Sequence, residues 1–485
     1  MKNSYQVKIG MEIHSEIKTK RKMFCFCPNN PFEVKANTNV CPICLAHPGT
    51  LPIINKRAIE KVILASQALN CQIAKITKFD RKNYFYPDLP KGYQISQYDL
   101  PIGFNGFLPL KEKKIRIRRI HLEEDAGKLI HPQGKNYSLV DFNRAGVPLL
   151  ELVSEPDIES AKEAKEFCQE LQRVFRYLEI SDADLEKGQM RCEVNISLAK
   201  NNSLGTKVEI KNLGSFRAVE QAIEYEIKRQ RELLAKGEKI KQETRGWNKE
   251  KGITYPQRSK EESADYRYFP EPDLPFIEID FFDLKKISSS LPELPWQKRE
   301  RLKKQFPSLK EEEIEILISE RKQAEFFEEA VSETKNYLQE EKIEKEKIAK
   351  ILANFLLSDL RGLLIKENQP FSSLKFKAKD FAYLLSLFLK GKINSRIVKD
   401  VLRKMYLEGK KPEDIFKEEK ITLISEKGDL EKMVEEVIKE NEKAVADYKK
   451  GKESALQFLV GQIMKKTKGG VEPKTALEVI REKIQ

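Results

Sequence analysis

The hydrophobic pattern of this chain changes near residue 290, and that change limits the folds open to it. Residues 1–283 alternate short stretches of period two with turns rich in Pro, Gly and Asn, which is typical of strands. From Gln297 onward, the apolar residues recur at helical spacing instead. The segment 285–296 between them holds three consecutive serines and two prolines. The sequence therefore predicts a strand-rich part followed by a helical part.

The predicted fold class is α+β with three domains, a number that the length of 485 residues favours. Strands with one polar side favour an antiparallel sheet with one open face. Two helices, near residues 57–70 and 160–177, interrupt these strands. A weaker boundary follows near residues 409–412. We therefore expect three segments: a sheet domain over 1–290, a helical domain over 291–410 and a small helical tail over 411–485.

The charge balance of the chain is basic, with a formal net charge of +13. Such a balance is compatible with a polyanionic partner such as RNA, and equally with a composition that is simply rich in lysine. The sequence has no early apolar run flanked by basic residues and no stretch long enough to cross a membrane. These features favour a cytoplasmic protein without a membrane partner.

The first predicted strand carries a possible metal-binding face. Its apolar residues occupy odd positions from Val7 to Ile17, so Glu12 and His14 lie together on the other face. Two such side chains could converge on one ion. For this strand alone, a solvated polar face explains the pattern equally well.

Two later strands add acids to polar faces. The first places Glu193 beside Asn195, and the second places Glu209 between Val208 and Ile210. The segment 201–205 between them has turn composition, which predicts a hairpin in which Glu193 lies directly opposite Glu209. Facing carboxylates need a positive charge between them. A hard cation such as Mg²⁺ would supply it, and so would the flanking Lys207 and Lys211.

A third acidic segment, Glu123-Glu124-Asp125, ends another strand. The apolar residues before it change from odd to even positions, which indicates a bulge and leaves open which acid faces inward. Together, the three segments predict a platform that holds ATP through Mg²⁺, because the sequence contains no P-loop and no dinucleotide-binding glycine motif. The basic residues that could meet the phosphates are Arg116, Arg118, Arg144, Lys207 and Lys211.

Four of the seven cysteines form two close pairs, Cys25 with Cys27 and Cys41 with Cys44. Two pairs of thiolates match a structural zinc site, which is filled by four protein ligands. Free thiols are the alternative, and His47 is a less favoured substitute ligand. The other three cysteines lie in apolar surroundings and are interpreted as core residues. The sequence does not suggest a Ser-His or Cys-His unit for nucleophilic catalysis, because the four histidines are widely scattered.

Six segments, read together, resemble the B subunit of aspartyl/glutamyl-tRNA amidotransferase, the GatB family. They span nearly the whole chain, and the first of them is the most specific. The segments are Lys78–Gln97, His121–Lys128, Ser154–Asp157, Val208–Leu213, Asp265–Asp273 and Phe458–Lys465.

The resemblance implies a catalytic "cradle" related to glutamine synthetase, followed by a helical domain and a tRNA-binding tail. It implies ATP-dependent phosphorylation of the side-chain carboxylate of Glu-tRNA(Gln) or Asp-tRNA(Asn), and then amidation. Ammonia is expected to come from glutamine through the amidase (A) subunit, held by a small C subunit in a heterotrimer. The implied Mg²⁺ site comprises Glu12, His14, Glu124, Glu193 and Glu209, with Glu193 where the family usually has Asp.

Two other functions remain open at this stage. The first is a zinc-stabilised tRNA-binding scaffold without catalytic activity, which would show no Mg²⁺-dependent ATP turnover. The second is an ATP-dependent amide ligase for a small molecule, which would work without tRNA and without residues 412–485. The amidotransferase accounts for more of the sequence than either.

Overall fold

The computed structural model describes residues 5–32, 34–200, 203–259, 266–339, 341, 343–421, 427–466 and 473–484. Asn201, Asn202 and Asp265, which belong to segments discussed above, lie outside these ranges. The chain divides into two compact units, Met1–Trp296 and Gln297–Gln485. No helix among the described residues combines the length and the apolar character needed to span a membrane.

The first unit contains all the strands found in the described part of the chain. In chain order they are β1 Gln6–Glu16, β2 Gln72–Ile73, β3 Ile76–Thr77, β4 Asp80–Asn83, β5 Tyr93–Ser96, β6 Gly103–Pro109, β7 Lys114–Glu124, β8 Lys128–Ile130, β9 Leu139–Asp141, β10 Pro148–Ser154, β11 Met190–Ala199, β12 Val208–Lys211, β13 Glu243–Asn248, β14 Ile253–Ser259, β15 Phe269–Pro270 and β16 Ile277–Glu278.

Nine of these strands form one sheet, in the order β14-β13-β12-β11-β1-β10-β7-β6-β2. All neighbours are antiparallel except β12 and β13, which run parallel. The adjacent strands β1, β10 and β7 therefore come from distant parts of the sequence. The α+β class with a mainly antiparallel sheet and a helical second half is confirmed.

One face of the sheet packs against helices and the other carries the polar side chains. Val7, Ile9, Met11 and Ile13 of β1 are buried in the main core, as the odd-position pattern predicts. The covering helices are α1 Lys56–Ala68, α2 Ala161–Tyr177 and α3 Phe216–Ala235. Each begins after an Asn or Ser whose side chain accepts hydrogen bonds from the first turn.

The prediction of two helices in this unit was incomplete. Helix α3, with 20 residues, was missed although Ser215 caps it and Ala218, Val219, Ala222 and Ile223 form a buried stripe. A short helix, α4 Leu284–Ser289, also occupies the serine-rich segment, after a 3₁₀ turn at Ile279–Phe281. Its Asp283 accepts a hydrogen bond from the Lys286 amide, which starts the helix.

The predicted pairing of β11 with β12 was wrong by two residues. Asn195, not Glu193, lies opposite Glu209, and the ladder ends at Ile196 opposite Val208. Between the two strands, the backbone at Gly205 lies against Leu198, where an added Cβ would come within 2.3 Å of the carbonyl oxygen. A shift of two residues preserves the face, so Glu193 and Glu209 still point to the same side.

The second unit is helical throughout its described residues. Its helices, counting from α5 at the junction, are α5 Pro295–Gln305, α6 Glu311–Leu317, α7 Arg321–Tyr337, α8 Lys345–Asn354, α9 Arg361–Lys366, α10 Ala378–Leu389, α11 Ser395–Glu408, α12 Pro412–Glu418, α13 Lys427–Glu440, α14 Glu442–Lys449, α15 Glu453–Lys466 and α16 Pro473–Ile484. A π-helical turn, Phe355–Leu360, joins α8 to α9, and a 3₁₀ turn follows at Phe371–Ser373.

Two separate hydrophobic cores lie within this unit. One extends from Leu302 to Phe416, and the other joins α13, α15 and α16 through residues such as Leu459 and Ile480. Ile415 and Phe416 belong to the first core although they follow residue 410. The three-domain division, and its boundary at 410 in particular, stays a prediction.

Candidate active site

Two histidines and a glutamate line up across the adjacent strands β1, β10 and β7. His14 on β1 lies opposite Glu151 on β10, which lies opposite His121 on β7. Directly opposed residues share a face, so the three side chains meet on the polar side of the sheet. Glu151 Oε2 lies 3.3 Å from Nε2 of His14 and 3.3 Å from Nε2 of His121. The carboxylate thus bridges the two imidazoles.

The acids predicted on β1, β11 and β12 continue this row. Glu12 lies opposite Glu193, and its Oε1 is 3.8 Å from His14 Nε2. Lys211 Nζ lies 2.9 Å from Glu193 Oε2 and 3.7 Å from Glu209 Oε1. Of the two lysines that could separate these acids, Lys211 therefore does contact them, whereas Lys207 lies exposed just before β12.

Glu124 is not brought to this row, and Glu123 takes the place expected for it. Glu123 Oε1 lies 3.7 Å from His14 Nε2, and its other oxygen accepts a hydrogen bond from Ser96 Oγ. Glu124 points to the opposite side, where it accepts hydrogen bonds from Lys91 Nζ at 2.6 Å and the Ile95 amide at 3.0 Å.

A bulge in β7 causes this exchange. Pairing with β10 passes from Arg119 directly to Ile117, so Arg118 is the extra residue. The bulge predicted from the change of parity is confirmed. Beyond it, Ile120 and Leu122 face the core, which leaves His121 and Glu123 on the polar face.

The side chains form three overlapping groups, and within each group one donor atom per residue lies within 4.8 Å of the others. Glu12 and Glu151 each belong to two groups. The groups are Glu12 with His14 and Glu151, His121 with Glu123 and Glu151, and Glu12 with Glu193 and Glu209.

The electrostatics of these groups show crowding of negative charge. Burial raises the pKa of Glu12 to about 7, and the charges of Glu151 and Glu193 add to that rise. Burial acts to lower the pKa of His14, but the hydrogen bond to Glu151 and the surrounding carboxylates outweigh it and raise the value to about 9. The two histidines in turn hold the pKa of Glu151 well below its usual range, although burial acts against them.

The donor set fits a hard divalent cation. Carboxylate oxygens are the preferred ligands of Mg²⁺, whereas imidazole nitrogen suits softer metals, so the carboxylates are the groups that would hold the ion. Nδ1 of His14 and Nδ1 of His121 are buried and have no hydrogen-bond partner among the described residues. A buried polar atom without a partner is costly in a site that is already crowded with charge. A cation on the carboxylates would offset their repulsion. Because Glu12 and Glu151 each belong to two of the donor groups, a second ion could bind beside the first and share these carboxylates.

The arginines proposed for the phosphates are already paired on the surface. Arg116 donates to both carboxylate oxygens of Asp157, at 2.9 and 2.6 Å, and Arg118 donates to both oxygens of Glu155, at 2.9 Å each. Their side chains are 69% and 57% exposed. Nothing in these contacts brings them to the acidic row, whereas the unpredicted Arg119 lies 3.6 Å from Glu151.

Arg144 has a structural contact instead. Its guanidinium donates hydrogen bonds to the carbonyl oxygens of Ala126 at 3.1 Å and Gly127 at 2.8 Å. It therefore fixes the loop that follows β7. Of the five basic residues in the prediction, Lys211 is the one that contacts the acidic row in the described structure.

A lysine among tyrosines was not predicted. Lys82 Nζ lies 5.0 Å from the ring centre of Tyr266 and 6.0 Å from that of Tyr84. Burial alone would lower the pKa of Lys82, but the charges of Glu123, Tyr268 and Glu151 outweigh it and raise the value. The ammonium group is thus held positive beside the acids.

Sequence patterns did carry signals for the residues that were missed. Glu151 is the one acid in the otherwise apolar run 148–153, and such a charge in a buried strand needs partners. His121 and Glu123 alternate with Ile120 and Leu122. No local pattern marks Lys82, because Tyr84 is close to it in sequence but Tyr266 and Tyr268 arrive from a distant segment.

The four paired cysteines do converge. Their sulfur atoms all lie within 4.8 Å of one another, and Cys25, Cys27 and Cys44 are buried. His47 is exposed and lies outside the group. The structure therefore contains a possible four-cysteine metal site, the donor set of structural zinc.

A buried lysine balances the charge of this cysteine group. Lys22 is fully buried, with Nζ 2.8 Å from the Asn39 carbonyl oxygen and 4.0 Å from Cys44 Sγ. The hydrogen bond from Cys25, with the charge of Lys22, lowers the pKa of Cys44 to about 5, although burial opposes it. A thiolate is the form that binds a metal.

Comparisons with known proteins identify the family of this chain. A family model described as the GatB/GatE catalytic domain matches residues 7–283, and one described as the GatB domain matches residues 325–484. The B subunit of the aspartyl/glutamyl-tRNA(Asn/Gln) amidotransferase of Caldanaerobacter subterraneus subsp. tengcongensis is 46% identical over 486 residues, covering 99% of both chains. The proteins of the same name from Thermosipho melanesiensis and Persephonella marina are 47% and 46% identical, each over 98% of both chains. The chain therefore belongs to the GatB family, the B subunits of tRNA-dependent amidotransferases.

Proposed function

We propose that this protein uses ATP to phosphorylate the side-chain carboxylate of Glu-tRNA(Gln), Asp-tRNA(Asn) or both, and then directs ammonia to the activated carbonyl. A carboxylate resists attack because its negative charge repels a nucleophile and its oxygen leaves poorly. Transfer of the γ-phosphoryl group gives an acyl phosphate, whose phosphate leaves readily. Ammonia then forms the amide, so that the products are Gln-tRNA(Gln) or Asn-tRNA(Asn), ADP and phosphate.

One observation carries the proposal, the row of acids and histidines across the centre of the sheet. It comprises Glu12, His14, His121, Glu123, Glu151, Glu193 and Glu209. Such an accumulation of carboxylates is unfavourable unless it serves a cation. When bound, Mg²⁺ would neutralise the nucleotide phosphates and orient them for in-line transfer.

The chain's own cations complete the row. Lys211 contacts Glu193 and Glu209, and Arg119 approaches Glu151, so both are placed to meet phosphate oxygens beside the row. Lys82 is half-buried between tyrosines and lies close enough to Glu123 and Glu151 to feel their charge. We assign it to the negatively charged substrate carboxylate. The ring faces around it also keep water from the activated carbonyl.

The remaining parts of the proposal follow from the family. Ammonia comes from glutamine on the amidase (A) subunit, with a small C subunit completing a cytoplasmic heterotrimer. Cys168 and Cys192 are buried in the core, and the Ser138 hydroxyl that lies 2.7 Å from His131 Nδ1 is exposed on the surface, outside the acidic row. The four-cysteine site would hold structural zinc.

The test is reconstitution of the complex with Glu-tRNA(Gln), ATP, Mg²⁺ and ammonium chloride, followed by identification of the amino acid released from the tRNA. Ammonium replaces the amidase step, so the assay isolates the step assigned to this chain. Glutamine should form with the wild-type chain. Glu151→Gln should abolish it, because this residue belongs to two of the three donor groups.

Glu155→Gln is the matched control. It also replaces one carboxylate by an amide, directly after β10, but the partner of Glu155 is Arg118 on the surface and not a residue of the acidic row. It should retain activity. If the wild-type chain yields glutamate alone, Asp-tRNA(Asn) is tried in the same way. Failure with both substrates would leave a tRNA-binding scaffold as the better account.

A further inference from the structure

A cleft in the first unit lies outside the acidic row. It encloses about 700 Å³ between the segment that follows β1 and the start of helix α1. Seven cationic side chains line it, and the described residues that line it include no acid. The seven are Lys18, Lys20, Arg21, the buried Lys22, Lys56, Arg57 and Lys61.

Little of this positive charge is neutralised within the chain. Lys18 pairs with Asp182, and Arg57 pairs with Glu60 one turn along its own helix. In the described part of the chain, Lys20, Arg21 and Lys56 make no ion pair with a carboxylate. Four or more unit charges therefore face one cavity with few counter-charges.

The arrangement opposes the local preferences of helix α1. The positive end of the helix dipole favours acids in the first turn, yet the helix begins with Lys56 and Arg57 and has no acid there. Farther along, burial together with the charges of Arg57 and Lys18 lowers the pKa of Lys61. Charges placed against local preference are expected where a ligand compensates them.

We propose that this cleft binds phosphate groups of an RNA backbone. The inference rests on the proposed function for the identity of that RNA, which would be the tRNA substrate held away from its reacting end. Lysine and arginine around a groove are the usual partners of phosphodiesters.

An exposed aromatic ring favours RNA over an acidic protein surface. Phe26, next to the buried Cys25 and Cys27, lines the cleft and is 59% exposed. Arg21 lies over its ring, 4.6 Å from the centre. A basic groove with an exposed ring can hold phosphates and stack an unpaired base at once.

The experiment measures binding of uncharged tRNA to the complete complex, by fluorescence anisotropy, between about 50 and 200 mM salt. The variant is Lys20→Glu/Lys56→Glu. Both side chains are exposed, and a glutamate in the first turn of α1 suits the helix dipole, so folding is not compromised. The control is Lys239→Glu/Lys241→Glu, which makes the same change in net charge at exposed lysines outside the cleft.

The cleft variant should weaken tRNA binding about tenfold or more and reduce the slope of log K against log salt by about 1 to 2, because each phosphate contact contributes about 0.7 to 0.9. The control should change both quantities much less. Phe26→Ala should weaken binding several-fold with the slope unchanged.

Three results would overturn the inference. The first is equal binding by the cleft variant and the control. The second is unchanged tRNA binding with a raised KM for ATP, which would make the cleft a nucleotide site. The third is unchanged tRNA binding with loss of the other subunits, which would make it a protein interface. The anisotropy assay measures tRNA binding and does not depend on catalysis. A complex that binds tRNA through the cleft but forms no amide would therefore refute the proposed function and leave the inference about the cleft standing.

Discussion

Exchanging the two adjacent acids at the end of β7 for glutamine should separate stability from metal binding. Glu124→Gln removes the charge from a buried ion pair, since the side chains of Lys91 and Glu124 are 11% and 3% exposed. It leaves the Lys91 ammonium buried without its counter-charge, and breaking such a pair costs about 3 to 5 kcal/mol. We expect a loss of about 3 kcal/mol, because the Gln oxygen can still accept from the Ile95 amide.

Glu123→Gln should have the opposite profile. Its carboxylate accepts from the neutral Ser96 hydroxyl at 3.0 Å, and its ion pair with His14 is long at 3.7 Å, while His14 keeps its closer contact with Glu151 at 3.3 Å. The cost in stability should stay within about 1 kcal/mol. It removes a donor from the His121–Glu123–Glu151 group, however, and even indirect changes around a metal cost about 10–100-fold in affinity.

Two assays distinguish the variants. Urea unfolding with EDTA present gives the free energy of unfolding without metal, and calorimetric titration with Mg²⁺ or Mn²⁺ gives the affinity. The expected pattern is a less stable Glu124→Gln protein with near-normal metal affinity, and a stable Glu123→Gln protein with weakened affinity. The reverse pattern would refute the strand-parity argument and restore Glu124 as the ligand.

Three further predictions concern the cysteines and one tight contact. Cys41→Ser should lower the zinc content of the protein, measured by elemental analysis, because Cys41 belongs to the four-cysteine group. Cys71→Ser, outside that group, should keep the wild-type zinc content. Equal zinc in the two variants would exclude the four-cysteine site. Burial raises the pKa of Cys71 to about 12. The rate of its alkylation by iodoacetamide, measured by mass spectrometry, should therefore rise roughly tenfold per pH unit between about pH 8 and 11. A rate that reaches a plateau near pH 9 would contradict this prediction. Gly106→Ala should lower the free energy of unfolding by about 2 kcal/mol, because the new Cβ would lie 2.6 Å from the Leu69 carbonyl oxygen; Gly214→Ala, with open space around it, should not.

Strand parity was the most productive part of the sequence argument. It placed Glu12, His14, Glu193 and Glu209 on the polar face, and it tolerated a register error between β11 and β12 because a slip of two residues preserves the face. Parity could also have distinguished Glu123 from Glu124. Beyond a bulge the nearest apolar residues set the alternation, and here these are Ile120 and Leu122.

The order of the strands could not be read from the sequence. Glu151 completes the row because β10 inserts between β1 and β7, which places residue 151 beside residue 14. No hydrophobic period encodes that insertion. The same holds for Lys82, whose tyrosine neighbours at 266 and 84 come together through the pairing of β15 with β4. Periodicity assigns side chains to a face, whereas long-range pairing decides which of them meet.

The apolar face explains how the sheet tolerates its polar face. Ile9, Met11 and Ile13 are completely buried beneath Glu12 and His14, so the backbone of β1 is fixed by packing that the acids do not influence. Burial of each such side chain contributes about 1.5–3 kcal/mol, enough to offset repulsion among neighbouring carboxylates. The carboxylates cannot relax apart without breaking the ladder on both sides of β1. Repulsion that packing holds in place is relieved by binding a cation, and this is the physical basis for the cation site proposed on the polar face of the sheet.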